Sequence, residues 1–305
     1  MKYGIREICD VVLKAKARMK VGNKIFYKDE PVIYFDSLKT STLEGAATTV
    51  YAQGGRGNSR LIAWEGERTV TFTMEDALIS TVGLAILTGA DVISAADEAI
   101  IVHCTETTTV SDDGSIELKN APYEVADSSE NYIYVMKLDA QGNVESEPYL
   151  YKAGEGNKIV IKTGEDYKAD ANAPAKDELV LVDYYTKKTS GATQIEITPD
   201  KFGGNFYLEA STLFRDTNGV DMPAEFIIPN CKVQSNFTFT MASSGDPSTF
   251  TFTMDAFPDY TRFGTKKVLS AIQIIEDASK DMYKRVATDA SESYKDGSDA
   301  IVAEG

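Results

Sequence analysis

Residues 249–254 read Thr-Phe-Thr-Phe-Thr-Met, and two other stretches share the pattern, Thr-Val-Thr-Phe-Thr-Met at 69–74 and Asn-Phe-Thr-Phe-Thr-Met at 236–241. A period of two indicates a half-buried β-strand, because successive side chains point to opposite faces of a sheet. The pattern therefore predicts three strands. Each would direct large apolar side chains to a core and mostly threonine to the other face.

The second and third stretches predict an antiparallel hairpin, since the linker 242–248 contains Gly245, Asp246 and Pro247, which favour turns. A wet, uncharged threonine face is common on the solvent side of antiparallel sheets. Exposed sheet edges, however, recruit other chains unless they are capped or closed. We therefore expect self-assembly through β edges.

A helix is predicted over 74–87, with Thr73 as N-cap and Gly89 as C-cap. Its apolar stripe has helical spacing and consists of Met74, Leu78, Val82, Ala85 and Ile86. Because helices are missing between the other apolar runs, a parallel α/β sheet is not supported.

Most of the remaining chain has strand character, in short runs separated by Gly-, Asp- and Asn-rich turns. The predicted strands are 99–110, 131–138, 158–162, 179–185, 194–198, 205–213 and 267–275. The predicted fold class is mainly β: an antiparallel β-sandwich or barrel with one flanking α-helix, plus an inserted or second small β domain.

The predicted β core is discontinuous and comprises residues 1–103 and 205–277. Residues 104–204 are richer in Tyr, Asp, Glu and Gly than their flanks and are predicted to form the inserted β domain. Residues 276–305 hold eight acidic and four basic side chains, so 278–305 is interpreted as an acidic C-terminal arm.

Composition excludes several functional classes. The 305 residues are 43% apolar and 26% charged, as in a globular protein, and the net charge of −16 opposes sequence-specific binding to DNA phosphates. Three cysteines without CxxC spacing suggest neither a disulfide framework nor a zinc site. No export signal is apparent, and the longest uncharged run, Ala77–Ala90, is too short for a membrane span.

Catalytic, cofactor-binding and metal-binding residues are not predicted, and the chain is interpreted as a non-enzyme. The sequence has one histidine, His103, beside Cys104 in a predicted strand, where neighbouring side chains face opposite ways. A pairing of His103 with Cys9 or Cys231 across space stays open.

A glycine-rich segment predicts a flexible projecting loop. It lacks both the P-loop and the dinucleotide-binding patterns, and a strand-like run rather than a helix follows it. The residues of this candidate loop are Gln53, Gly54, Gly55, Arg56, Gly57 and Asn58.

Two stretches together, GRGNSRLIAWEGERTVTFTMEDALIS at 55–80 and PAEFIIPNCKVQSNFTFTMASSGDPSTFTFTMDAF at 223–257, resemble the tail tube (major tail) proteins of tailed bacteriophages. The resemblance covers about half of the chain. It implies a virion protein, synthesised in the bacterial host cytoplasm, whose copies form rings of six that stack into a tube for DNA. It also implies that no reaction is catalysed.

The resemblance implies roles for particular segments. Residues 44–61, including 53–58, would be a long loop that contacts the adjacent ring, and the helix would lie outside the subunit sheet. The inserted domain departs from the compact tube pattern, and we expect it on the outer surface. Acidity would let DNA slide without sequence-specific binding. Tail sheath, tape measure and tail terminator proteins are the implied partners. The lumen-wall candidates are Thr238, Thr240, Thr249, Thr251 and Thr253.

A binding module of a phage or cell surface is the alternative. The middle of the chain is rich in tyrosine, which suits a groove that recognises a glycan or a partner protein, although tyrosine also suits strands by propensity. The tyrosines concerned are Tyr132, Tyr134, Tyr149, Tyr151, Tyr184 and Tyr185.

Overall fold

A computed structural model describes residues 2–5, 7–124, 133–161, 173–241, 243–244 and 248–275. The chain divides into two compact units. Unit 1 comprises Met1–Ala90 and Ile197–Gly305, and unit 2 comprises Asp91–Glu196. The predicted acidic arm 278–305 lies outside the described residues.

The described residues are mainly in strands, with one α-helix, which confirms the predicted fold class. Before the helix the strands are β1 (Tyr3–Ile5), β2 (Asp10–Ala15), β3 (Met19–Val21), β4 (Lys24–Phe26), β5 (Pro31–Phe35), β6 (Leu38–Gly54) and β7 (Ser59–Asp76). After α1 (Thr81–Thr88), unit 2 contains β8 (Asp91–Ser94), β9 (Ile100–Thr109), β10 (Ile116–Glu117), β11 (Tyr134–Lys137), β12 (Tyr149–Ala153), β13 (Lys158–Ile161), β14 (Leu179–Lys188) and β15 (Thr193–Glu196). Unit 1 resumes with β16 (Asn205–Asp216), β17 (Asp221–Val233), β18 (Phe250–Ala256), β19 (Asp259–Tyr260), β20 (Lys267–Val268) and β21 (Ala271–Ile274).

Unit 1 is built on one antiparallel sheet with the strand order β5-β2-β16-β17-β18-β7-β6; β1 pairs with β16, and β21 pairs with β17. The sheet is strongly curved, because Phe35 of β5 contacts Phe252 of β18 with ring centroids 5.0 Å apart although three strands separate them. The concave side encloses the core. Phe72, Met74, Phe252 and Met254 are fully buried there, as the alternation predicts.

The helix begins later than predicted. Met74 belongs to β7, which stays paired with β18 through Asp76, so the predicted start at Met74 and the Thr73 N-cap are wrong. The pairing of β7 with β18, which is distant in sequence, thus prevails over the helical spacing of the apolar residues from Met74 onward. The N-cap is Ser80, whose hydroxyl accepts the Gly83 amide hydrogen at 2.9 Å.

Gly89 ends the helix as predicted. Its φ of 72° is left-handed, and its amide donates to the carbonyl of Ala85 at 2.8 Å. A Cβ at Gly89 would stand 2.6 Å from the Phe202 backbone, so glycine is required on two counts. The helix packs on the apolar face of the sheet, since a Cβ at Gly83 would lie 3.7 Å from the Phe252 ring.

The predicted strand at 236–241 and its hairpin with 249–254 are wrong for the single chain. Residues 234–241 form no strand, and Phe237, Phe239 and Met241 are exposed rather than buried. β18 instead pairs with β7 along its length and with only the last residues of β17. The predicted turn residues 245–247 lie outside the described residues.

Unit 2 contains a six-stranded antiparallel sheet with the order β10-β13-β12-β11-β14-β9. The first and last segments of the unit, β8 and β15, pair with each other, so the chain enters and leaves side by side. Its core includes Ile116, Ile133, Val135, Ile159, Val180 and Val182. The unit thus has its own sheet and its own buried cluster.

Replacing Phe252 with alanine tests the core of unit 1. Phe252 is 1% exposed and contacts Phe35, so Phe252→Ala should lower the free energy of unfolding by about 3–4 kcal/mol. Phe263→Ala is the matched control: that side chain is 94% exposed, and its loss should cost under about 0.5 kcal/mol. Urea denaturation of the purified subunit measures both values, and equal losses would contradict this assignment.

Candidate assembly surfaces

The longest feature of unit 1 is a hairpin arm formed by residues 44–70 of β6 and β7. Nearly every side chain of the arm is exposed, although the two strands stay paired from Leu38 and Asp76 out to Gly54 and Ser59. Among the described residues, β7 pairs with β18 only over 71–76, so the arm is a two-stranded ribbon. Such a ribbon is marginally stable by itself in water, which favours a partner.

The predicted loop residues lie at the tip of the arm. Gln53 and Gly54 end β6, and Gly55–Asn58 form a four-residue turn in which the Asn58 amide donates to the Gly55 carbonyl at 3.1 Å. Gly55, Gly57 and Asn58 have φ values of 78°, 91° and 51°. The expectation of a long loop over 44–61 is therefore wrong in conformation, because most of it is paired strand.

One face of the arm carries an exposed apolar patch. Val50 lies opposite Trp64, and Ala52 lies opposite Ile62, so the four side chains share a face. Val50, Ile62 and Trp64 are 61%, 54% and 53% exposed. Clustered apolar side chains left in water mark interaction sites. The patch therefore makes the arm a candidate contact surface.

The arm carries no net charge, although the chain has a net charge of −16. Arg60 stacks on the Tyr51 ring at 4.1 Å, on the face opposite the patch, and Arg68 lies 3.7 Å from Glu65. A neutral arm can approach an acidic neighbour without long-range repulsion. Its charged residues are Glu44, Glu65, Glu67, Arg56, Arg60 and Arg68.

The side of β18, β7 and β6 that lies opposite the buried side chains forms a second surface, the hydroxyl face. Cross-strand pairing places nine side chains in three rows: Thr251, Glu75 and Thr40; Thr253, Thr73 and Thr42; and Asp255, Thr71 and Glu44. All nine are exposed or half-buried, and they comprise six hydroxyls and three carboxylates without a base. Lys232 of β17 lies beside Asp255 at the border of this face.

The lumen-wall candidates are divided between two segments. Thr251 and Thr253 lie on the hydroxyl face in β18, and Thr249 precedes that strand. Thr238 and Thr240 are exposed in residues 235–241, which we call the open segment. Sequence reasoning missed the contribution of β6, namely Thr40, Thr42 and Glu44, because this strand has no apolar alternation to reveal it.

Exposed apolar side chains are concentrated in unit 1. Among the described residues, all but four of the exposed large apolar side chains belong to unit 1, although unit 2 comprises about a third of the chain. The four in unit 2 are Ile101, Tyr134, Val144 and Leu179. This bias favours unit 1 as the part of the chain that contacts other copies.

His103 and the two buried cysteines belong to different units. His103 lies in β9 of unit 2, where its Nε2 is 2.9 Å from Asp183 Oδ2, whereas Cys9 and Cys231 belong to the core of unit 1. Burial raises the pKa of Cys231 to about 12 and also raises the pKa of Cys9, so both remain thiols at neutral pH. Within the described ranges, no group of three His, Cys, Asp or Glu residues could hold a metal ion.

The tyrosines proposed for a glycan groove do not share one surface. Tyr151 and Tyr184 are 1% exposed and belong to the core of unit 2, and burial raises the pKa of Tyr151 to about 12. Tyr149 packs against that core, and Tyr134 is 39% exposed. Tyr185 packs against the ring of His103, and Tyr132 lies outside the described residues.

In the part of the chain that the structure describes, no helix has the length and apolarity to cross a membrane. Comparison with curated proteins gives no match. The model of the YomU/Tube protein family matches residues 19–269, and its name supports the resemblance to phage tube proteins and a structural rather than enzymatic role. Because this match spans more than four-fifths of the sequence, the chain belongs to the YomU/Tube protein family.

Proposed function

We propose that this protein is the subunit of a phage tail tube, in which rings of six copies stack around a channel for DNA. The observation that carries the proposal is the hydroxyl face, which lies on a curved sheet whose opposite side is the core. A closed ring of such sheets has a wall of threonine and carboxylate. The apolar arm then provides the contact between rings.

The chemistry of the hydroxyl face suits the passage of DNA. Phosphates bind mainly to lysine and arginine, and the nine cross-strand side chains of this face include neither. Glu44, Glu75 and Asp255 repel phosphate, while the threonine hydroxyls keep the surface hydrated. DNA would therefore slide past this wall without sequence-specific binding.

The length of the arm supports a contact with another ring. Its strands extend about ten residues beyond the part of the sheet that β18 covers, which corresponds to about 30 Å at a rise of 3.3 Å per residue. In an assembled tube the patch of Val50, Ile62 and Trp64 would be buried against a subunit of the adjacent ring. The tip residues Gln53–Asn58 would be part of that contact.

Unit 2 would then lie on the outer surface of the tube. It has its own core and few exposed apolar side chains, as expected for a domain that faces solvent. A sheath would contact this outer surface, whereas tape measure and terminator proteins would contact the lumen and the end of the tube. The protein would accordingly be located in the virion tail after synthesis in the host.

Electron microscopy of the purified protein tests the proposal. We expect rings with a central hole that stack into tubes as the concentration rises, with six subunits in top views. A protein that remains monomeric at millimolar concentration, as measured by analytical ultracentrifugation, would contradict it.

The double variant Ile62→Ser, Trp64→Ser tests the role of the arm. Both side chains are exposed, so each substitution should change the stability of the subunit by under about 0.5 kcal/mol. Stacking should nevertheless be lost, and microscopy should show single rings or short stacks in place of tubes. Val220→Ser, an exposed apolar position outside the arm, is the control and should leave tube length unchanged. Tubes of normal length from the double variant would refute the assigned role.

The double variant Thr42→Lys, Thr251→Lys tests the lumen. In a tube, the two lysines of every copy would form a band of positive charge on the hydroxyl face. Tubes of this variant assembled with short duplex DNA should retain DNA that a nuclease cannot digest, and a higher salt concentration should release it. Wild-type tubes should retain little DNA. Thr217→Lys, on the exposed turn between β16 and β17, is the control. If tubes of Thr217→Lys protect as much DNA from the nuclease as tubes of the double variant, the hydroxyl face does not line the channel.

A further inference from the structure

A short hairpin after β18 presents an aromatic side chain that is almost fully exposed. β19 and β20 pair with each other over two residues each, and residues 261–266 form the turn between them. Within this turn the Gly264 amide donates to the Thr261 carbonyl at 3.1 Å. Phe263 is 94% exposed, the highest value among the large apolar side chains that the structure describes. We call residues 261–266 the knob.

Polar contacts fix the knob to the sheet of unit 1. Asp259, just before the knob, lies 2.8 Å from Lys16 Nζ. Within the knob, the Arg262 amide donates to the Tyr207 hydroxyl at 3.3 Å, and the Arg262 guanidinium lies 3.4 Å from Asp29. An aromatic side chain on a fixed turn loses little conformational freedom on binding, and such side chains are common anchors of protein interfaces. The knob is therefore a candidate contact for a partner.

A cleft of about 610 Å³ lies between β1 and the end of β16. Its apolar side chains are Leu213 of β16 and Tyr3 and Ile5 of β1, and Ile5 is 64% exposed. Gly4 leaves this lining open, since a Cβ there would meet only the Arg215 carbonyl, at 4.0 Å. A concave site of this size with an apolar lining can accept an aromatic side chain.

The knob and the cleft of one chain are too far apart to meet. Tyr207, which bonds to the knob, and Asp216, which lines the cleft, are nine residues apart in β16, about 30 Å at a rise of 3.3 Å per residue. The ion pairs and the hydrogen bond of the knob hold it at its own end of β16. A knob can therefore reach this cleft only from a second copy of the chain. Such a contact is heterologous and repeats from copy to copy.

The charges of the two surfaces are complementary. Residues 261–267 include Arg262, Lys266 and Lys267 and no acidic side chain, in a chain with a net charge of −16. The cleft has a net charge of −1, since three carboxylates and two bases line it: Glu7, Asp216, Asp221, Lys2 and Arg215. A hydrogen bond from the Val220 amide lowers the pKa of Asp216, which is therefore ionised at neutral pH. Opposite charges favour the encounter of the knob with the cleft.

The strand directions place this contact between rings. The arm extends beyond the Asp255 end of β18, and β17 continues in the same direction from Cys231 to Asp221 at the cleft. In the proposed tube the arm is directed at the adjacent ring, so the cleft faces that ring as well. The knob that enters the cleft then belongs to a subunit of that ring.

We propose that the knob of one copy inserts Phe263 into the cleft between β1 and β16 of a copy in the adjacent ring. This inference rests on the proposed function and adds a contact between rings that is separate from the arm. Phe263 packs against Ile5 and Leu213 of the other copy, and Lys266 approaches Asp216. Because insertion removes an exposed ring from water, each contact stabilises the stack.

Disulfide trapping tests this contact. In a Cys104→Ser background, Phe263→Cys is combined in turn with Ile5→Cys and Leu213→Cys, and the assembled tubes are oxidised. At least one pair should give a ladder of covalent oligomers on a non-reducing gel, and the ladder should extend beyond six copies because each step adds a ring. A bond within one chain is excluded, since the knob and the cleft are about 30 Å apart and a disulfide spans roughly 7 Å at most.

The control pair, Tyr134→Cys with Ile5→Cys, and each single variant should give no ladder. A ladder from the control pair, or the absence of a ladder from both test pairs, would overturn this inference. A ladder that ends at six copies would place the contact within a ring and would overturn it as well.

Removal of the Phe263 ring supplies a second measurement. Phe263→Ala should raise the protein concentration at which tubes form by at least about tenfold, as measured by sedimentation and microscopy. Phe263→Tyr keeps an aromatic ring and should assemble like the wild type, and Tyr134→Ala, which removes a 39% exposed ring from unit 2, should leave assembly unchanged. Tubes of Phe263→Ala that form at the wild-type concentration would overturn this inference while leaving the proposed tube intact. Wild-type protein that forms no rings would contradict both.

Discussion

The curved sheet of unit 1 depends on a period of two in β7 and β18, where threonine alternates with phenylalanine and methionine. Cross-strand pairing aligns the two patterns, so Phe72, Met74, Phe252 and Met254 are buried on one side while Thr73, Thr251 and Thr253 share the other. A shift of one residue would exchange the faces, placing hydroxyls in the core and aromatic rings in water. Burial of the phenylalanine and methionine side chains on one face thereby determines which side chains the opposite face presents.

The rest of unit 1 is consistent with a subunit that is completed by other copies. The arm exposes Ile62 and Trp64 on a ribbon of two strands, and the open segment has strand sequence without a strand partner. Each feature would be unfavourable in a protein that remains alone, because exposed apolar side chains and unpaired sheet edges promote association. Family membership and these surfaces therefore support the same account.

Features set by local pattern could be predicted from the sequence. The buried faces of β7 and β18, the Gly89 C-cap and most strands of unit 2 follow from alternation and turn residues. Features that depend on pairing between strands distant in sequence could not be predicted. The helical spacing from Met74 onward competes with the pairing of β7 and β18, and the pairing prevails. The resemblance implies a loop over 44–61, where the structure has paired strands; both faces of the arm are exposed, so no apolar period marks β6 as a strand.

A cryo-electron microscopy reconstruction of the assembled protein, at a resolution that separates strands, would show directly which face of the sheet lines the channel. We predict a continuous β wall around the channel in which Thr42, Thr73 and Thr251 point to the lumen and the arm contacts the adjacent ring. A particle in which these threonines face outward, or in which the channel is lined by unit 2, would contradict it.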